Sequence, residues 1–547
     1  MPDDGPHGSE HDGSATPAKT QPKQANADEP ISAGMPGMSM AKESSAGHAM
    51  AEHQMSDMAG SAAGAKQPPA ARVKQRPVAG VRGPEVPGHT PGMAMAAADN
   101  SHAEKSEHQM SDMPGMAMGQ DQGTVWAHFF AIMIIGVWLI TSPFALNYGD
   151  SNLLWSDIVS GVLMIALAGV TLVRQPVWAP WANSLVGVWL LFAPLLFWSP
   201  TAGGYANDTL VGALLITFAI LMPGMPGMNM LPGPDRPRGW SYNPSSWPQR
   251  APIIALAFVG FILSRQMAAY QLGYTTSTWE PFFSPGTKAV LTSDVSKAFP
   301  ISDAGFGGVA YMVEALMGFM GGKDRWRTMP WMVTFFGILV VPLGIVSVGL
   351  IILQPIAVGD WCTPCLVAAL AMLVMIALTL DEVVAMGQFM VQAQREGQSV
   401  WRVFWQGGAL TTPDSDERSF HTDVVGVKAM VWGVALPWNL IACVGLGLWL
   451  MTSPSALGYG ANAAHGDHLI GALVVTVAIM ALSDVGRSLR FVNVIFGAWF
   501  LAAPWILGGA TMQSGVNDVV AGIVLIALSL PRGPVGERYG SWDRYIR

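Results

Sequence analysis

Between residues 126 and 530 the chain carries twelve predominantly apolar stretches, near 126–143, 154–173, 183–198, 207–223, 251–270, 304–320, 330–354, 363–388, 428–452, 467–483, 491–507 and 516–530. A helix needs about 20 such residues to cross the hydrocarbon core of a bilayer. Inside lipid every backbone polar group must be paired within the protein, which leaves helices or closed barrels. The pattern predicts an all-α polytopic membrane protein with about twelve transmembrane helices. Only 12% of the residues are charged, and the net charge of −8 comes with no basic patch for a nucleic-acid partner.

Lys and Arg are distributed unevenly among the connections. They recur at Arg174, at Arg236, Arg238 and Arg250, at Lys323, Arg325 and Arg327, at Arg395, Arg402 and Arg418, at Arg487 and Arg490, and in both tails. The alternate loops, such as "SPFALNYGDSNLLWSD" and "SPSALGYGANAAHGDH", have none. The positive-inside rule then places both termini in the cytoplasm. The expected location is a bacterial inner (plasma) membrane.

The first four and last four helices repeat one unit. G-x-W is followed five residues later by Pro, at Gly136/Trp138/Pro143, Gly187/Trp189/Pro194, Gly447/Trp449/Pro454 and Gly497/Trp499/Pro504. An Asp with a Gly four residues on follows each, at Asp157/Gly161, Asp208/Gly212, Asp467/Gly471 and Asp518/Gly522. The unit reads as a helical hairpin. Pro stops the first helix, Asp suits the first turn of the returning helix, and the second Gly lets two backbones approach. The pattern resembles the SPW repeat family of bacterial membrane proteins, which implies architecture more than activity.

Two of the three cysteines stand in "GDWCTPC", residues 359–365, between two apolar runs. The predicted topology puts this turn on the outer face, where disulfide chemistry is permitted. Two residues between Cys362 and Cys365 bring both sulfurs to a helix start, where free N–H groups favour the thiolate. Pro364 falls in the first helical turn, where it is tolerated. Three readings stand: redox chemistry, metal binding with outside ligands, or a structural disulfide. Cys443, inside an apolar helix, reads as core packing.

With "FFSPGTKAVLTSDVSKAFPISDAGFGGVAY" ahead of its second helix, the region 251–392 resembles the vitamin K epoxide reductase family. The resemblance implies a four-helix bundle holding a quinone beside an outward-facing CxxC. It implies that Cys362 exchanges with a disulfide, that Cys365 faces the quinone, and that Ser293 lies near the quinone pocket. The family's loop-cysteine positions align with Trp279 and Thr287, no cysteine lies in 251–361, and Ala369 stands where vertebrate members have tyrosine. An external thiol protein on the periplasmic side is therefore the implied electron source. Glu314, midway along "VAYMVEALMGF", reads either as a proton carrier beside the quinone or as a protonated acid bonded within the bundle. Asp381 and Glu382, far along the CxxC helix, read as solvated.

The N-terminal tail has no apolar periodicity and is expected to be disordered. It holds 7 of the 11 histidines and 13 of the 33 methionines, and "EHQMSDM" occurs in it twice. Thioether sulfur among Gly, Pro and Ser has no face to pack on, and it selects Cu(I) or Ag(I). The candidate ligands are Met35, Met38, Met40, His53, Met55, Met58, Met93, Met95, His108, Met110, Met113, Met116 and Met118. The pattern resembles the Met/His-rich segments of bacterial copper-resistance proteins; a low-complexity linker is the other reading.

The expected organisation is a tail (1–123), a repeat module (124–230), a linker (231–250), the reductase-like domain (251–392), a cytoplasmic linker (393–425), a second repeat module (426–533) and a C-terminal tail (534–547). The expected function is a quinone-linked thiol–disulfide oxidoreductase. The alternative is a non-enzymatic copper- or silver-handling protein in which the bundle is a scaffold.

Overall fold

The computed structural model describes residues 122–221, 233–234, 236–410, 426–508 and 510–546. The methionines and histidines singled out between 35 and 118, and the string 222–230, lie outside them.

Twelve long helices run through the described residues. They are α1 (Gln122–Ala145), α2 (Ser151–Arg174), α3 (Trp178–Leu196), α4 (Ala202–Ile216), α5 (Trp247–Gln271), α6 (Asp303–Phe319), α7 (Pro330–Leu353), α8 (Thr363–Arg395), α9 (Trp438–Leu457), α10 (Ala461–Met480), α11 (Arg490–Ile506) and α12 (Met512–Ser529). Eleven spans are long and apolar enough to cross a membrane. The twelfth helix, α6, has 17 residues. The chain is a multi-pass membrane protein. Helices α5 to α8 form a central bundle. Helices α3 and α4 of the first module pack on α6, and α10 of the second packs on α7 and α8.

The four repeat units form four hairpins with one crossing geometry. In each, the Gly of G-x-W faces the Gly that follows the Asp. A Cβ on Gly212 would come within 2.6 Å of the Gly187 carbonyl oxygen, and one on Gly522 within 2.7 Å of that of Gly497. A Cβ on either Gly447 or Gly471 would come within 2.8 Å of the other's carbonyl oxygen. Small residues bring helix backbones together where lipid offers no hydrophobic drive. Trp138 Nε1 donates to Asn207 at 2.7 Å and Trp449 Nε1 to Asn517 at 2.8 Å, tying the first hairpin of each module to the second. A Gly212→Leu substitution is expected to cost about 1–3 kcal/mol or more by forcing the crossing apart. Gly203→Ala, at a site with open space around it, is the control. Thermal unfolding in detergent checks both, and equal midpoints for the two variants would contradict the crossing.

Two expectations about the repeat need correction. The four prolines do not stop their helices; Pro143, Pro194, Pro454 and Pro504 all lie inside the last turn, and the helix runs two or three residues further. Nor do the aspartates cap. The N-caps are Asp150, Thr201, Gly460 and Thr511. Asp157, Asp208, Asp467 and Asp518 each stand seven residues further on, two turns into the helix, and all are buried. Asp208 accepts from the Tyr148 hydroxyl at 3.1 Å, and Asp467 from that of Tyr459.

The bundle end opposite the cysteines overturns another expectation. Asp381 and Glu382 are 2% and 3% exposed, not solvated. Residues distant in sequence cover them. Glu382 takes a two-pronged ion pair from Arg325, with Nη2 at 2.6 Å from Oε2, and a hydrogen bond from Ser245. Asp381 accepts from Tyr242 and Ser483. Tyr242 comes from the connection before α5, and it stacks edge-on with Tyr539 of the C-terminal segment.

Candidate active site

The CxxC turn is assembled from the end of α7, the start of α8 and the connection between α5 and α6. After α7 the chain passes through one wider turn, Gln354–Val358, and reverses at Gly359, whose φ of +82° suits glycine. Cys362 is the N-cap of α8. Its sulfur accepts from the Cys365 N–H at 3.3 Å, the position a Ser or Asp oxygen takes at other helix starts. Pro364 lies in the first turn, where it has no N–H to leave unpaired. The Cys362 N–H donates to the Gln354 side chain at 2.9 Å, so that buried amide fixes the turn to α7. The two sulfurs are bonded to each other.

The sulfurs have different surroundings. Cys365 lines a cavity of about 120 Å³, together with Met267 and Ser264 of α5, Ser293, and Asp303 and Tyr311 of α6. Its volume is of the same order as the engineered apolar cavity of about 150 Å³ that holds benzene. Its walls are mainly apolar, from Leu291, Leu350, Ile351 and Ala369. Cys362 is fully buried and is not on the cavity. The chain at 282–287 packs on the residues either side of it: Thr363 Oγ1 donates to the Phe282 carbonyl at 3.3 Å, and Gly286 packs directly against the Trp361 carbonyl oxygen. Trp279, at one of the two loop positions, is exposed, whereas Thr287 is buried, its N–H bonded to Glu280.

Gln271, the last residue of α5, holds this connection in place. Its amide N–H groups reach Ser296 at 2.7 Å and the Asp303 carboxylate, and its oxygen accepts from Ser302. The connection is also tied to the first repeat module. Tyr274 donates to the Ser199 carbonyl, and Trp198 Nε1 to that of Pro300 at 3.3 Å. Burial pushes the Tyr274 phenol above its usual value, with the Ser199 hydrogen bond and Arg265 pulling the other way, so it stays a neutral donor.

Of the residues singled out by sequence, Cys365 and Ser293 meet on the cavity. Ser293 donates to the Val290 carbonyl at 2.7 Å and caps the short helix Asp294–Lys297. Glu314 does not line the cavity. It is fully buried about one turn further along α6, and neither carboxyl oxygen has a hydrogen-bond partner. Between them stands Tyr311, whose hydroxyl donates to the Ala368 carbonyl of α8 at 2.7 Å. Cys443 is fully buried in the second repeat module, 3.9 Å from the Ser529 hydroxyl.

Met267, Gln354, Tyr311 and Asp303 were not anticipated. Gln354 had a signal: it is the first amide after a 24-residue apolar run, eight residues before Cys362. Met267 had none, since a methionine in an apolar helix is usually packing.

A model of the vitamin K epoxide reductase family matches residues 251–380, and a model of the SPW repeat domain matches residues 125–222 and 437–531. Neither a curated protein nor a solved structure matches the chain. The chain carries a vitamin K epoxide reductase family domain between two SPW repeat domains, in one multi-pass membrane protein.

Proposed function

We propose that the chain is a membrane thiol–disulfide oxidoreductase that passes electrons from an external dithiol protein to a membrane quinone. One observation carries this reading: of two bonded sulfurs, only Cys365 opens onto a mainly apolar cavity, while Cys362 is off it and fully buried. A partner thiolate attacks Cys362 Sγ, the Cys362–Cys365 bond breaks, and Cys365 leaves as the thiolate. The partner's second thiol then attacks the mixed disulfide and releases Cys362. The resulting dithiol returns to the disulfide as two electrons and two protons convert a quinone to a quinol.

The chain's own groups fit these roles. The start of α8 favours the departing thiolate, the apolar walls take a quinone ring, and Ser293 and Tyr311 supply hydroxyl groups at its rim. Basic connections on alternate sides support a cysteine turn outside the plasma membrane and termini in the cytoplasm. No internal cysteine pair stands between partner and CxxC, so the partner exchanges directly with Cys362.

Filling the cavity tests the assignment. Ala369→Phe is expected to lower the rate at which quinone oxidises the reduced pair by about 10-fold or more, equivalent to ~1.4 kcal/mol. Oxidation by a small soluble disulfide is retained. Alkylation and mass shift read both, and an unchanged quinone rate would remove the cavity from the reaction.

A second reading, a Cu(I)- or Ag(I)-handling protein with the bundle as scaffold, is favoured by the repeated "EHQMSDM" and its neighbouring methionines. Metal titration of a chain lacking residues 1–118 against the full chain measures what the tail contributes.

A further inference from the structure

Met267 has no part in the electron transfer above, yet its position is specific. Its thioether sulfur lies 3.4 Å from Cys365 Sγ and 4.0 Å from Cys362 Sγ, on a side chain that is 6% exposed. We propose that, when the disulfide is reduced, Cys362, Cys365 and Met267 form a three-sulfur site for Cu(I).

The geometry is close to what such a site needs. A metal held in a plane by three sulfurs at about 2.3 Å keeps those sulfurs about 4 Å apart. Met267 already stands near that distance from both cysteines. Only the Cys362–Cys365 contact has to open, and breaking the disulfide opens it. The remaining polar groups are committed elsewhere. The Gln354 oxygen accepts from Cys362 N–H, and the Asp303 carboxylate is held by Gln271 and Ser296. The donor set is therefore soft throughout, which selects Cu(I) over Zn(II), whose structural sites want four ligands without thioether. Among the described residues no group of three or more His, Cys, Asp or Glu is placed to hold a metal, so this sulfur cluster is distinct from a conventional site.

The chemistry balances without a redox step at the metal. A dithiol reductant supplies two electrons and two protons to open the disulfide. Cu(I) then displaces the two thiol protons and stays Cu(I). Bound metal occupies the sulfur lone pairs that would re-form the disulfide. On the oxidoreductase reading, Cu(I) thus holds the site reduced and blocks its oxidation by quinone. The binding itself does not depend on that reading.

The test uses the full chain, reduced with a phosphine without oxygen and titrated with Cu(I) buffered by a chromophoric chelator. The chain has only three cysteines, and none is in the tail, so a thiolate-to-copper absorption band reports on this site once Cys443→Ser is shown not to change it. The expected result is one Cu(I) per chain at the band's endpoint, with Cys362 and Cys365 both protected from alkylation. Met267→Leu, which conserves volume, is expected to weaken that Cu(I) by about 10-fold or more, ~1.4 kcal/mol. An unfolding midpoint in detergent equal to that of the unaltered chain shows that the variant is folded. Copper uptake without the band or the protection, or equal affinity in Met267→Leu, overturns the proposal. Quinone-dependent oxidation is measured separately without copper. Its absence alongside a normal Cu(I) site counts against the oxidoreductase reading only.

Discussion

In a Cys365→Ser chain, Cys362 is expected to accumulate in a mixed disulfide with its thiol partner, and oxidation by quinone is expected to fall to the uncatalysed background. The reciprocal Cys362→Ser chain is expected to lose turnover without trapping a partner. The asymmetry follows from where the sulfurs lie. Cys365 is on the cavity and Cys362 is off it, between Trp361 and Thr363, which pack against the 282–287 segment where a partner protein would dock. Exchange proceeds by thiolate attack through a mixed disulfide, which a second thiol normally resolves. The exchange is reversible: the Cys362 thiolate also attacks the oxidised partner's disulfide, and on this chain's side only Cys365 can resolve the mixed disulfide so formed, so its removal leaves Cys362 trapped. Non-reducing electrophoresis of membranes after acid quenching reads the trapped species. Equal trapping by both variants would contradict the division of roles.

The largest expected stability effect lies at the other end of the bundle. Arg325 and Glu382 are 1% and 3% exposed and meet in a two-pronged pair, and a second guanidinium, Arg250, donates to the same carbonyls of Gly318 and Met320 as Arg325. Glu382→Ala leaves a buried positive charge unbalanced beside another, and the Ser245 hydroxyl loses its acceptor. The expected loss is about 3–5 kcal/mol, the range for breaking a buried pair. Replacing both Arg325 and Glu382 with methionine is expected to recover much of it, because the stranded charge is gone. Denaturation midpoints in detergent compare the three chains. A loss under ~1 kcal/mol, as for an exposed pair, would show that the charge is solvated.

These two effects differ in how visible they are in the sequence. The helix start at Cys362 and its Pro364 lie within one short motif and were readable directly, whereas the Gln354 and 282–287 contacts that hold the turn were not. The Gly–Gly crossings were readable too, because the same short unit recurs once in each of the four hairpins. The aspartates of that unit were misplaced by two turns. Spacing fixes them relative to Trp and Gly, but the Ser- and Gly-rich connections give no unique helix start; Asp150, Thr201 and Thr511 cap three of these helices, and the fourth starts at Gly460 without a side-chain cap. The burial of Asp381 and Glu382 was not readable at all. It depends on Tyr242, Ser245, Arg325 and Ser483, which lie more than 50 residues away in sequence. The same holds for Met267, 95 residues before the cysteine it touches.

A CxxC without loop cysteines that still delivers electrons to quinone must close as quinone is reduced. The direct measurement is to reduce the purified full chain, remove the reductant, add quinone, and count Cys362–Cys365 disulfides and quinols formed. One quinol per disulfide is expected in the unaltered chain and in Cys443→Ser, and none in Cys365→Ser. A pair that stays reduced with quinone present, or quinol formation that persists without Cys365, would contradict it.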